Sequence, residues 1–191
     1  MNVIAFNGSA RKNGNTAILI NHVLKELKNE GIGAEMVQLA GSDLKGCQAC
    51  GKCGEMKNGK CVIDGDPLNS YISLMVKADG IILGSPTYFA DVTSNMKSLI
   101  DRAGYVNRAN GDLLRRKVGA AVIAVRRAGA IHAFDTINHF FTIGQMIIPG
   151  SCYWNVGLGR KSGEVEQDEE GIKTMEILGQ NMAWLLKKLH S

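Results

Sequence analysis

Apolar residues follow two alternating rhythms along this chain: short unbroken runs, and longer stretches with helical spacing. Asn2–Asn7 is an apolar run ending at Gly8, the form of a strand buried on both faces. From about Asn15 to Glu30, Ile20, Val23, Leu24 and Leu27 share one helical face, and Gly31 and Gly33 end the pattern. Ala34–Leu39 predicts a second strand. Asp66-Pro67 predicts a helix start, with Asp as N-cap and Pro in the first helical position. Leu68, Tyr71, Ile72 and Met75 form its buried face. Gly80–Gly84 predicts a third strand, and Thr93–Ala103 a helix with Met96, Leu99, Ile100 and Ala103 inward. Lys117–Val125 predicts a fourth strand, Ile131–Gln145 a helix, and Met146–Asn155 a fifth strand. Gly157–Glu170 is polar and predicts a surface loop. The last helix turns Met175, Leu178, Met182, Leu185 and Leu189 inward.

Such strand–helix alternation predicts a parallel α/β sheet covered on both faces, with right-handed crossovers. In open sheets of this kind ligands bind beyond the carboxyl ends of the strands. The loops after strands one, two and three therefore carry the candidate chemistry. The second of these, Ala40–Gly65, is too long for an idle connection in a compact domain.

Composition changes this picture little. The chain has 191 residues, 45% hydrophobic and 21% charged, which suits one globular domain over 1–191. A formal charge of +4 can attract an anionic cofactor or an acidic redox partner, but it is too small and too scattered for nucleic acid. The longest apolar run, near Gly119–Val125, is too short for a membrane span. The amino terminus places apolar residues before charge, the reverse of a signal peptide, so a cytoplasmic protein is expected.

The cysteines change it most. Cys47, Cys50, Cys53 and Cys61 lie in GCQACGKCGEMKNGKC, spaced C-x2-C-x2-C-x7-C. Thiolates in such runs hold iron–sulfur clusters. Structural zinc more often uses two CxxC pairs further apart, and metal-free thiols are a third reading. Cys152 falls in the predicted fifth strand and reads as a small buried hydrophobe. His22, His139 and His190 are lone histidines without metal spacing, and His132 lies near a helix start. Trp154 and Trp184 read as core or interface residues.

The loop after strand one is NGSARKNGNTA, residues 7–17. Ser9, Arg11, Lys12 and Asn13 lie between two glycines, just before a helix N-terminus. Free N–H groups, hydroxyls and cations together make a phosphate site. No Lys-Ser or Lys-Thr follows the second glycine, and no GxGxxG is present, so a terminal monophosphate suits the loop best. After strand three, GSPTYF places Tyr88 and Phe89 as flat surfaces at the ligand edge. Arg126 and Arg127 follow strand four and bring positive charge to the same edge.

GSARKNGNT resembles the phosphate loop of the flavodoxin-like, NADPH-dependent FMN reductase family, and GSPTYFADVTSNMKSLIDR resembles its second signature. The cysteine motif narrows the resemblance to the iron–sulfur flavoproteins. The three motifs occur in the right order over nearly the whole chain. The resemblance implies a flavodoxin-like three-layer sandwich with a five-stranded parallel sheet in the order 2-1-3-4-5. It implies FMN at the carboxyl edge, with Ser9, Arg11, Asn15 and Thr16 on the phosphate. Pro86, Thr87, Tyr88 and Phe89 would follow the ribityl chain and ring, and Arg126 and Gly129 would contribute from the loop after strand four. A [4Fe–4S] cluster would be held by Cys47, Cys50, Cys53 and Cys61. The implied activity is FMN-dependent electron transfer, with NAD(P)H or ferredoxin as donor, in a homodimer or homotetramer. Two other functions fit the same residues: a cluster-free NAD(P)H-dependent FMN or quinone reductase, and a non-enzymatic zinc- or phosphate-binding module.

Overall fold

A computed structural model describes residues Met1–Ser191. The elements in chain order are β1 (Asn2–Asn7), α1 (Asn15–Asn29), β2 (Gly33–Gln38), α2 (Lys52–Met56), α3 (Leu68–Lys77) and β3 (Gly80–Pro86). There follow α4 (Ser94–Ala109), β4 (Val118–Val125), α5 (Ala130–Ile143), β5 (Val156–Leu158), a 3-10 turn (Glu164–Gln167) and α6 (Glu169–Leu189). The strands form one parallel sheet in the order β2-β1-β3-β4-β5, as the resemblance implies.

Period-two alternation along the strands divides the core. Ile4 and Phe6 of β1, Ile81 and Leu83 of β3, and Ala121 and Ile123 of β4 face α3, α4 and α5. Val3 and Ala5, Ile82, and Ala120 and Val122 face α1 and α6. Each large side chain removed from water contributes about 1.5–3 kcal/mol, so both faces are needed to hold the sheet. The α1 stripe of Ile20, Val23, Leu24 and Leu27 is buried as predicted. No helix is long and apolar enough to cross a membrane.

The structure corrects several boundaries. The fifth strand is not Met146–Asn155. Ile147 makes an isolated parallel bridge to Val118, the chain then leaves the sheet, and it returns as Val156–Leu158 beside Ile123–Val125. An edge strand has only one neighbour to pair with, and here the excursion interrupts that pairing. Cys152 and Trp154 ride on the excursion and are exposed, so Cys152 is not a buried hydrophobe. Its Sγ lies 3.6 Å from Thr174 Oγ1. Trp184 is exposed on α6. The segment predicted as a surface loop, Gly157–Glu170, contains most of β5 and a 3-10 turn whose Val165 is fully buried. Helix α3 starts one residue later than predicted, with Pro67 at the cap position, while Asp66 Oδ1 accepts from the Leu68 N–H at 3.2 Å. Helix α4 runs six residues beyond the predicted Ala103, because Val106 continues its buried stripe.

Candidate functional site

The loop after β1 is built around Asn7. This buried side chain accepts from the Ser9 N–H at 3.0 Å and donates to Gln38 Oε1 at 2.8 Å. Gln38 Nε2 in turn donates to Ser9 O at 2.6 Å, so two amides from neighbouring strands set the loop's path. Gly8 N donates to Gly84 O at 2.7 Å, and a Cβ at Gly8 would stand 3.1 Å from that same oxygen and from Met96. A side chain there would push the loops after β1 and β3 apart by a few tenths of an ångström. Thr93 caps α4, accepting from Met96 N, and its hydroxyl donates to Gly8 O at 2.8 Å. One threonine thereby locks α4 onto the loop.

A cavity of about 150 Å³ opens above this framework. It is lined by Ser9, Arg11, Asn15, Thr16, Pro86, Thr87, Tyr88 and Arg126, joined by Gly159 and Arg160 from the loop after β5. Loops from four strand ends therefore meet here. The N-terminal end of the fifteen-residue α1, with its free first-turn N–H groups and the positive end of the helix dipole, borders it through Gly14, Asn15 and Thr16. The Thr16 and Thr87 hydroxyls are buried at this cavity and have no hydrogen-bond partner. Buried polar groups without partners are rare, and two at one cavity fit a polar ligand that brings its own acceptors. The donor set suits an anion.

Not every residue singled out from sequence plays the same part. Asn15 lines the cavity, but its side chain holds the loop after β5, donating to Lys161 O at 2.9 Å and accepting from Gly163 N at 2.8 Å. Glu164 fixes that same loop by accepting from the N–H groups of Arg160 and Lys161, and these two bonds hold its carboxyl below the usual carboxylate range. Phe89 has left-handed backbone, φ 48°, and projects fully into solvent rather than onto the cavity. Gly129 lies outside the cavity. At φ 85° it caps α5, and a Cβ there would meet Ala90 at 3.2 Å, so it admits the loop after β3. His132 stands 3.5 Å from Asp91, a carboxylate that also accepts from Thr136 at 2.8 Å.

The cysteines form a second site. Cys47, Cys50, Cys53 and Cys61 all line one cavity of about 180 Å³, walled on its far side by Arg102, Tyr105 and Val106 of α4. No three His, Cys, Asp or Glu side chains are close enough to hold a single metal ion. Around one zinc ion, thiolates at 2.3 Å would have to stand within roughly 4 Å of one another. The four thiols instead border one shared cavity, and one buried donor on its wall, Arg102 Nε, has no partner. These features fit a larger thiolate-bound group. Asn69 fixes Cys61 from behind, accepting its N–H at 2.8 Å and donating to its carbonyl at 2.9 Å. The cysteine loop leaves β2 at the carboxyl edge, then runs down α4 as far as Asn110, which accepts from Gly59 N at 2.8 Å.

Arg102 is the residue that sequence reading passed over. Its guanidinium is buried, donating to Lys45 O at 3.1 Å, to Ile63 O at 3.0 Å and to the Asp66 carboxylate. Burial would push the Asp66 carboxyl up, but bonds from Arg102 and from the Lys45 and Leu68 N–H groups hold it below its usual range. Burial likewise opposes the Arg102 charge, and Asp66 and Cys61 more than restore it. The signal was present: an arginine three residues after Leu99, on a stripe otherwise apolar.

The chain is similar to known proteins along its whole length. The model of the NADPH-dependent FMN reductase family matches residues 1–161. An iron–sulfur flavoprotein of Methanocaldococcus jannaschii is 38% identical, with 98% of each chain covered. A second iron–sulfur flavoprotein of that organism is 32% identical over 92% of this chain and 91% of its own. Among solved structures, a flavodoxin, WrbA-like protein from Agrobacterium tumefaciens superposes with a TM-score of 0.67 at 13% identity, covering 98% of this chain and 97% of that one. That likeness speaks for the flavodoxin-like fold alone. The sheet order and these matches together place the chain in the NADPH-dependent FMN reductase family, as a flavin-dependent oxidoreductase.

Proposed function

We propose that this protein is an iron–sulfur flavoprotein that carries FMN at the carboxyl edge of the sheet and one [4Fe–4S] cluster on Cys47, Cys50, Cys53 and Cys61. The observation that carries the reading is the convergence of all four loop cysteines on one cavity, apart from the anion-shaped cavity in the same chain. FMN supplies two-electron and one-electron chemistry and the cluster one-electron chemistry, so together they divide electron pairs. The α1 N–H groups, Ser9, Arg11, Thr16 and Thr87 bind the FMN phosphate and ribityl chain. Pro86, Tyr88 and Arg126 flank the ring, and Phe89 and Gly129 shape the loops beside it. NAD(P)H or ferredoxin acts as donor in the cytoplasm.

The two cavities share no lining residue. From the Thr93 cap to Arg102, α4 advances roughly 13 Å, so the cysteines lie well below the FMN edge. Tyr105 and Ile143 are largely exposed along the groove between α4 and α5, beside the cysteine cavity. We assign this groove to a homo-oligomer in which the cysteine loop of one subunit approaches the FMN of another.

Anaerobic reconstitution with iron and sulfide tests the reading. Wild-type protein is expected to take up one FMN and four irons. Cys50→Ser should lose the iron and the paramagnetic signal on reduction while keeping FMN, and Cys152→Ser should keep both. Wild-type protein that binds FMN but no iron would make the cluster-free reductase the better account.

A further inference from the structure

We infer that Arg102 is a built-in hydrogen-bond donor to the Cys61 thiolate and raises the reduction potential of the cluster; the inference rests on the cluster reading proposed above. Four observations carry it. The Arg102 guanidinium is buried, with 1% of the residue exposed, and it belongs to the wall of the cysteine cavity. Its Nη2 stands 3.5 Å from Cys61 Sγ. Its Nε–H is buried without any partner. Its Nη1 engages Asp66 and Lys45 O, which leaves Nη2 as the nitrogen that meets the sulfur.

Asp66 pairs with Nη1 while Nη2 meets Cys61 Sγ, so the carboxylate and the sulfur engage different nitrogens of one cation. Arginine keeps its charge at any accessible pH and offers five donors in a fixed plane. One electron added to a cluster adds one negative charge, which a nearby cation and an N–H···S bond stabilise. Hydrogen bonds to the sulfurs and local charge are the protein's means of setting such potentials. The same arginine holds Ile63 O and Lys45 O, so both ends of the cysteine loop are tied to the group that touches its fourth thiol. Asn69 clamps the Cys61 backbone, which holds this residue beside the guanidinium.

The test is a potentiometric titration of the cluster signal in anaerobically reconstituted holoprotein, with iron and FMN content measured on each variant. Arg102→Gln should lower the potential by about 59 mV or more, a tenfold change in the reduced-to-oxidised ratio at fixed potential. Arg102→Lys should fall between this and wild type. Asp66→Asn should shift the potential upward, because it removes the negative end of the pair and leaves the positive end in place. A purely structural pin would change iron retention without producing opposite shifts. If Arg102→Gln holds no cluster, the sign of the Asp66→Asn shift decides. Four irons with an unchanged or raised potential in Arg102→Gln would overturn the inference, as would a lowered potential in Asp66→Asn. A wild-type protein that takes up no iron sinks the cluster reading itself and this inference with it.

Discussion

Thr16→Val should act in opposite directions on the ligand-free protein and on FMN binding. Thr16 is the second residue of α1, with 1% of its surface exposed, and its hydroxyl has no partner within the protein. Its methyl group lies against Gly84. Valine keeps the branch and that methyl, and its helix propensity is close to that of threonine. An unsatisfied buried hydroxyl costs about 1–3 kcal/mol, so removing it should stabilise the ligand-free chain by about 1 kcal/mol. For a chain of this size that corresponds to a rise in Tm of about 2–4 °C. On the proposed reading the same hydroxyl would donate to an anionic oxygen of FMN, an interaction of about 1.5–3 kcal/mol. Its loss should weaken FMN by roughly 10- to 150-fold. Thermal melts of deflavinated protein and quenching of flavin fluorescence on titration measure the two effects. A lower Tm together with unchanged affinity would show that the hydroxyl serves the fold and not the ligand, and the reasoning would fail.

Arg11→Ala should weaken FMN by at least about tenfold, from a lost charge-assisted contact, with no change in the ligand-free Tm, because its side chain is exposed; an unchanged Kd would remove it from the site. Thr93→Val removes both the α4 cap and the donor to Gly8 O, so it should lower the ligand-free Tm, by about 1–2 kcal/mol in stability, the reverse of Thr16→Val. Asp66→Asn breaks a fully buried ion pair and should cost about 3–5 kcal/mol at pH 7, read from urea unfolding. The Asp66 carboxyl titrates below the 3.8 of an unperturbed aspartate, so its contribution is complete above that value and is lost as pH falls through the lower, folded one. The gap between wild type and Asp66→Asn should therefore close in acid; a gap independent of pH would assign the loss to packing rather than charge.

Repeating local patterns made the first four strands and the main helices legible. A buried strand needs a run of apolar residues wherever it lies, and the α1 stripe announces its face without reference to any neighbour. The loop that borders the smaller polar cavity was legible for a related reason, since its glycines, hydroxyls and cations fall within ten residues around one helix N-terminus. The fifth strand was not. Met146–Asn155 is apolar enough for a strand, yet the chain leaves the sheet after Ile147 and pairs again only at Val156. That choice belongs to the edge of the sheet, where no second neighbour enforces the register. The exposure of Cys152 follows from the same choice.

The sequence by itself determined the layers of the molecule and the residue types each site draws upon, because propensity, periodicity and motif spacing are properties of contiguous residues. The tertiary structure decided which of those residues meet. It turned the Asn15 side chain toward a loop some 146 residues away, sent Phe89 into solvent, and brought Gly159 and Arg160 to the anion cavity. It also carried the cysteine loop down α4, onto an arginine that spacing alone would count as an intruder on an apolar face. These outcomes depend on contacts between distant segments. A buried donor such as Arg102 must find its partners wherever the packed chain supplies them, and no local pattern records where that is.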